Sequence, residues 1–188
     1  MNSSDDQKNQ LRGAWRKNYP RDPYARSKTS SALCKIVSAD PAFRNAPYVG
    51  IFAALAWEID LKELFESRPR ACLYPRVNGL QLEFFSIASW KDLKPGYSGI
   101  LEPESKSPPH RWGPRDLILV PGSAFDKQGG RVGSGKGFYD RFLAAVSTPK
   151  WGICFSQQLI DGKLAQSPLD VRMDAIVSEL GIERVTEH

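Results

Sequence analysis

Histidine is nearly absent from this sequence, and its scarcity excludes a large group of mechanisms. The 188 residues include two histidines, His110 in a proline-rich stretch and His188 at the last position. Catalysis by an imidazole nucleophile or general base is therefore a poor explanation for any activity. Cysteine is also scarce, and the three residues, Cys34, Cys72 and Cys154, lie far apart. They form no Cys-x-x-Cys pair and no zinc-binding spacing, so we expect reduced thiols that serve as small apolar side chains.

Long apolar runs are missing as well. The longest, at 50–57, is much shorter than the ~20 residues that cross a bilayer. The first ten residues, MNSSDDQKNQ, contain no apolar segment of a secretory signal. Hydrophobic residues make up 41% of the chain and the mean hydropathy is −0.41, which is typical of a soluble protein. We expect a cytoplasmic monomer with no membrane partner.

The charge balance is weakly basic and leaves the class of partner open. A net charge of +5 is compatible with nucleotides, polyglutamylated cofactors or nucleic acid. The basic residues are spread along the chain and form no dense block, which favours an ordinary solvated surface.

The apolar pattern predicts an α/β fold, a single domain with a largely parallel sheet flanked by helices. Short apolar runs between turn residues predict strands at 48–55, 71–74, 81–87, 117–120, 151–155 and 175–178. Helical spacing of apolar residues predicts helices at 8–18, 24–37, 60–67 and 137–146. Residues 1–7 are expected to form a polar tail before a domain of residues 8–188. The segment 94–114, rich in proline and glycine, is predicted to be a long functional loop.

The densest motif is GGRVGSGKGFYDR at 129–141, in which five glycines fall within nine residues. Glycine lets the backbone approach a ligand closely, and consecutive N–H groups then form a concave anion site. Arg131 and Lys136 add full positive charges, and a helix is predicted to follow. The motif therefore predicts a phosphate-binding loop, although a glycine-rich surface loop without a ligand stays an alternative.

The loop departs from the common nucleotide motifs. It nearly matches the P-loop pattern, but Gly137 stands where that pattern has the hydroxyl that holds Mg²⁺. The glycine spacing also differs from the dinucleotide fingerprint. If the loop binds ATP, carboxylates elsewhere must hold Mg²⁺, and the candidates are Asp140, Asp170 and Asp174.

Together, DLILVPGSAFD at 116–126 and GRVGSGKGFYDR at 130–141 closely resemble the signature of 5-formyltetrahydrofolate cyclo-ligases. Further segments agree with that family in the same order along nearly the whole chain. They are Lys8 with Arg12, IF at 51–52 with EI at 58–59, GILEP at 99–103, and Pro168 with Asp170, Asp174 and IVSE at 176–179. The family's Tyr-Tyr-Asp is Phe138-Tyr139-Asp140 here, while Ser134 and Leu169 are further departures.

The resemblance implies ATP-dependent closure of 5-formyltetrahydrofolate to 5,10-methenyltetrahydrofolate, with release of ADP and phosphate and with Mg²⁺ as cofactor. It implies catalytic roles for Lys136, Arg131 and Tyr139. The implied ATP contacts are Lys8, Arg12, Arg131, Gly133, Ser134, Gly135, Lys136, Gly137, Phe138 and Tyr139. The implied folate contacts are Arg12, Ala53, Glu58, Gly135, Lys136 and Tyr139. The implied metal ligands are Asp140 and Asp170.

Two other functions remain open at this level. A domain of this kind can bind nucleotide or nucleic acid without catalysis, and the basic charge gives that interpretation some support. No RNA-recognition motif is visible in the sequence, so we do not expect a nucleic acid partner. A different small-molecule kinase is the second alternative, and the missing P-loop hydroxyl argues against it.

Overall fold

The structure, a computed structural model, describes residues 13, 19–69, 71–104, 107–165 and 167–186. Its strands are β1 Val49–Gly50, β2 Cys72–Asn78, β3 Gln81–Ser86, β4 Leu93–Pro95, β5 Leu101–Pro103, β6 Leu117–Pro121, β7 Ala124–Phe125, β8 Arg131–Val132, β9 Lys150–Ile153, β10 Ala175–Ser178 and β11 Gly181–Arg184. Its α-helices are α1 Pro23–Ala39, α2 Pro41–Asn45, α3 Lys62–Ser67 and α4 Phe138–Ala144. Short 3₁₀ turns occupy Trp90–Asp92, Tyr97–Gly99 and Ser156–Gln158.

One seven-stranded sheet organises the fold, in the order β11-β10-β9-β6-β1-β2-β3. The five strands from β10 to β2 pair in parallel, while β11 and β3 pair antiparallel at the two edges. Two further hairpins, β4–β5 and β7–β8, lie outside this sheet. The predicted fold class, a largely parallel sheet flanked by helices, is confirmed. Of the helices that the structure describes, none combines the length and apolarity that a bilayer crossing requires.

The alternation of side chains in the central strands divides the core between the two faces of the sheet. In β6, Leu117 and Leu119 pack with α1 and α3 on one face, whereas Ile118 and Val120 pack with Leu143 of α4 on the other. Successive strand residues point to opposite faces, so a continuous apolar run is what a strand covered on both sides requires.

Helix α1 begins where the sequence provides its capping residues. Asp22 accepts hydrogen bonds from the N–H groups of Tyr24 and Ala25, and Pro23 occupies the first helical position. The helix ends at Ala39, and the side chain of the next residue, Asp40, caps α2. The observed helix contains the predicted one and extends it by a residue or two at each end. The helix predicted at 8–18 and the boundary at residue 8 lie essentially outside the described residues.

Several predicted strand boundaries are wrong. Strand β1 ends at Gly50 and not at residue 55, because the residues after it leave the sheet to line a cavity. The predicted 94–114 loop contains the strands of the β4–β5 hairpin, and β11 follows the strand that was predicted to be the last.

Strand β2 continues through Pro75, where the sequence predicted its end. The N–H of Ile51 donates to the carbonyl of Leu73, on the side of β2 that faces away from β3. Backbone groups alternate along a strand, so the nitrogen of Pro75 also faces away from β3. Beyond Leu73 the strand β1 has ended, and the missing N–H removes no bond of the β2–β3 ladder.

Candidate functional site

A cavity of about 420 Å³ lies beyond the carboxyl ends of β1 and β6. This edge of an open α/β sheet is where ligands usually bind, because the loops that leave parallel strands diverge there. Three segments form most of its wall: the chain after β1, the tip of the β4–β5 hairpin, and the glycine-rich loop that joins β8 to α4. The structure therefore brings the glycine-rich loop and the predicted folate contacts Ala53 and Glu58 to one cavity.

The glycine-rich loop has a conformation that depends on two of its glycines. Gly137 precedes α4 with a φ of +68°, a left-handed conformation that other residues adopt with strain. A Cβ on Gly133 would stand 2.8 Å from Nη1 of Arg131, so glycine there lets the backbone pass close to the guanidinium group. The loop residues that the sequence suggested as ATP contacts line the cavity: Gly133, Ser134, Gly135, Lys136, Gly137 and Phe138.

Arg131 is a buried cation that is fixed from two sides. Its Nη2 donates to Oδ1 of Asp140 at 2.5 Å, and its Nη1 donates to the carbonyl of Pro121 at 3.1 Å. The guanidinium group also lies 5.7 Å from the ring centroid of Tyr139. From the sequence, Arg131 is expected to bind phosphate and Asp140 to bind the metal ion. In the structure the two side chains form an ion pair with each other in the cavity wall.

Lys136 differs from Arg131 because it is exposed. Within the described part of the chain its ammonium group makes no ion pair, and its carbonyl accepts a hydrogen bond from Arg141. It is therefore a movable charge at the wall of the cavity, next to a fixed one.

Glu58 and Tyr139 place polar groups in the same cavity, a half-buried carboxyl and a buried hydroxyl. Oε2 of Glu58 accepts the N–H of Leu55 at 2.9 Å, and burial raises the pKa of the Glu58 carboxyl despite that hydrogen bond. The Tyr139 hydroxyl has no hydrogen-bond partner among the described residues, and burial, with a smaller contribution from Glu58, raises its pKa. A buried hydroxyl without a partner costs about 1–3 kcal/mol, and a polar ligand would remove that cost.

Sequence reasoning missed part of the wall. Trp57, Tyr97 and Ser98 line the cavity, and none of them was predicted as a site residue. The GILEP segment did indicate Glu102, whose Oε1 accepts the N–H of Val77 and fastens the hairpin to β2. A signal for Ser98 is hard to find in sequence, because its unusual φ of +53° depends on the folded turn.

Two of the carboxylates that the sequence offers as metal ligands, Asp170 and Asp174, do not line this cavity. Asp170 is not among the residues that line the cavity, and its carboxylate accepts the N–H of Ser167 at 2.6 Å. Asp174 accepts the N–H of Lys150 at the amino ends of β9 and β10, away from the carboxyl ends that form the cavity. Lys8 and Arg12 lie outside the described residues. No group of three metal-ligating side chains is found among the residues that the structure describes.

Comparison with known proteins identifies the family and the fold. A family model for the 5-formyltetrahydrofolate cyclo-ligase family matches residues 4–179. The NMR structure of Aquifex aeolicus 5,10-methenyltetrahydrofolate synthetase is similar over 96% of this chain and 94% of that one, with a TM-score of 0.83 and 30% identity. A 5,10-methenyltetrahydrofolate synthetase from Mycoplasma pneumoniae shares the fold, with a TM-score of 0.68 and 22% identity over 92% of this chain and 98% of that one.

Two curated relatives show the same similarity in sequence. The mouse 5-formyltetrahydrofolate cyclo-ligase is 27% identical over 82% of this chain and 84% of its own length. A probable 5-formyltetrahydrofolate cyclo-ligase from Caenorhabditis elegans is 41% identical, over 43% of this chain and 44% of the nematode protein. Because the family model covers nearly the whole sequence, this chain belongs to the 5-formyltetrahydrofolate cyclo-ligase family.

Proposed function

We propose that this protein uses ATP to convert 5-formyltetrahydrofolate into 5,10-methenyltetrahydrofolate, releasing ADP and phosphate. One observation supports this most directly: a single cavity combines a cationic glycine-rich loop with the half-buried Glu58 and the buried hydroxyl of Tyr139. The loop suits a polyphosphate, and this polar pair suits a heterocycle with N–H groups. Relatives that share most of the chain are named for this reaction.

The phosphate side of the reaction rests on charge and position. Arg131 is fixed by Asp140 and Pro121, so it holds one phosphate oxygen in a constant place. Lys136 is exposed and follows the transferring γ-phosphate, while the amide groups of 133–137 bind further oxygens. Lys8 and Arg12 are proposed to complete the ATP contacts. Phosphoryl transfer needs little covalent chemistry from the protein. It needs positioning and neutralisation of charge, which these groups supply.

Mg²⁺ fits this site through a small number of protein oxygens. Mg²⁺ is usually bound by one or two carboxylates together with waters and substrate phosphates. Asp140, whose side chain is 29% exposed in the cavity wall, is the proposed ligand. Asp170, which does not line the cavity, is the second ligand that the family resemblance implies. Mg²⁺ bound here would neutralise charge on the triphosphate.

The folate side of the reaction uses Glu58 and Tyr139. Glu58 accepts N–H bonds from the pterin, which needs the ionised carboxylate. The raised pKa of Tyr139 keeps its hydroxyl protonated, so it donates a hydrogen bond to the folate. The formyl oxygen, so positioned, attacks the γ-phosphate, and N10 then closes the ring and expels phosphate.

The direct test is turnover. The purified protein is incubated with 5-formyltetrahydrofolate, ATP and Mg²⁺, and the near-UV absorbance of the methenyl product is followed together with ADP. We expect one ADP for each product, and no product when ATP is omitted or EDTA is added. Full turnover in EDTA contradicts the metal assignment, while nucleotide binding without any product supports the non-catalytic alternative. The cytoplasmic location and the monomeric state stay predictions, and one relative, from Arabidopsis thaliana, is named as mitochondrial.

A further inference from the structure

Trp57 is a large aromatic side chain that the fold leaves half exposed at the cavity. Its exposed fraction is 46%, and it lines the cavity together with its neighbour Glu58. Tryptophan has a large apolar surface, and in folded proteins most of that surface is usually buried. One that stays exposed beside a cavity is available to an incoming ligand.

The turn that carries Trp57 is held closed by two hydrogen bonds. The N–H of Glu58 donates to the carbonyl of Leu55 at 2.9 Å, and the N–H of Leu55 donates to Oε2 of Glu58, also at 2.9 Å. The turn thus places Glu58 in a half-buried position and Trp57 in an exposed one, one residue apart. Because this arrangement exists before any ligand binds, contact with Trp57 requires little ordering of the chain.

A second aromatic residue lines the cavity from another segment. Tyr97, at the tip of the β4–β5 hairpin, is 40% exposed and packs edge-on against Phe138, with ring centroids 5.2 Å apart. The hairpin is fastened to β2 by the bond between Glu102 and Val77. Exposed aromatic side chains therefore contribute to the cavity wall from two fixed segments of the chain.

We propose that Trp57 is a specificity-determining residue that stacks on the p-aminobenzoyl ring of the folate. This inference rests on the proposed function, which places the pterin at Glu58. A folate with its pterin at the half-buried Glu58 extends its benzoyl ring toward the more exposed part of the wall, and Trp57 is the adjacent residue in the chain. The indole face offers a stacking contact that ATP, held at the glycine-rich loop, does not use.

The test measures the KM for each substrate in three variants. We expect Trp57→Ala to raise the KM for 5-formyltetrahydrofolate about 3- to 10-fold, as the loss of one aromatic pair predicts, with an unchanged KM for ATP. Trp57→Phe keeps a ring and should retain most of the affinity. Tyr24→Ala removes another exposed aromatic residue, away from the cavity, and should change neither KM.

A truncated ligand separates stacking from a structural effect of the substitution. A 5-formyltetrahydropterin without the p-aminobenzoyl group should inhibit the wild type and Trp57→Ala equally well. An equal loss of affinity for 5-formyltetrahydrofolate and for the truncated pterin in Trp57→Ala overturns the proposal. An unchanged KM for the folate, or a higher KM for ATP, overturns it as well. Failure of the wild type to turn over 5-formyltetrahydrofolate contradicts the proposed function itself and is seen before any variant is made.

Discussion

At the scale of single residues, Glu58 links ligand binding to pH. Burial raises the pKa of its carboxyl above the ordinary value of 4.5, so the folded protein holds a proton that the unfolded chain loses at lower pH. The stabilising contribution is complete below pH 4.5 and is lost as pH rises through the raised pKa. We therefore expect the unfolding free energy of the ligand-free protein to decrease as pH rises through this pKa. The Glu58→Gln protein should lack this decrease. Denaturant titrations of both proteins from pH 4 to pH 8 measure the difference, and parallel pH profiles contradict the assignment.

The same carboxylate should separate the two substrates. Glu58→Gln replaces an acceptor oxygen with an amide donor that opposes the pterin N–H groups, so folate affinity should fall by about 1–3 kcal/mol. ATP affinity should stay nearly constant, because its contacts come from the glycine-rich loop. Asp140→Asn should weaken Mg·ATP and spare folate. Calorimetric titration of each variant with each ligand gives four affinities, and equal loss of both ligands in both variants shows that the substitutions act through the fold.

Lys136 allows a clean test of charge because the fold does not depend on it. Its side chain is exposed and makes no ion pair among the described residues. Loss of one charge-assisted contact to a transferring phosphoryl group typically costs about 10²–10³ in rate. We expect Lys136→Ala to show that loss of kcat with an unchanged melting temperature. Lys35→Ala is a matched control, since Lys35 is also exposed but lies on α1, outside the cavity wall. An equal loss of kcat in that variant assigns the effect to general surface charge.

At the scale of elements, one carboxylate joins the beginnings of two central strands. Asp116, just before β6, is 6% exposed and accepts the N–H groups of Tyr48 at 3.2 Å and Gly113 at 2.8 Å. It also bonds Nε2 of His110 at 3.0 Å. Asp116→Ala leaves these donors without their acceptor and should lower the unfolding free energy by about 2–3 kcal/mol.

This junction lies at the amino ends of β1 and β6, whereas the cavity lies at their carboxyl ends. The Asp116→Ala protein should therefore keep its kcat and KM well below its melting temperature. Asp161→Ala, at an exposed position, should leave stability unchanged. A loss of activity that precedes unfolding contradicts the separation of the two sheet edges.

The elements also show where sequence reasoning succeeds and where it ends. The strand at 117–120 was predictable because a strand covered on both faces needs a continuous apolar run. The continuation of β2 through Pro75 could not be predicted. Proline is tolerated at this position because β1 pairs with β2 only as far as Leu73, two residues earlier, and that fact depends on the folded sheet. In the cavity, the glycine-rich motif identified its own residues. The Arg131–Asp140 pair depends on how the loop between β8 and α4 folds, and the position of Trp57 in the wall depends on how distant segments meet.

At the scale of the whole molecule, the edges of the sheet differ from its centre. Phe84 of the edge strand β3 stands opposite Pro75 of β2, and its carbonyl points away from β2. This carbonyl accepts the N–H of His110 at 2.8 Å, so the segment that carries His110 crosses the open edge of β3. On the other edge, β11 carries Glu183 and Arg184, which pair with Lys127 and Asp40. A crossing segment at one edge and charged side chains at the other are the means by which β-proteins prevent a further strand from joining their sheet. A concentrated solution of this protein should accordingly resist the edge-to-edge aggregation that leads to fibres.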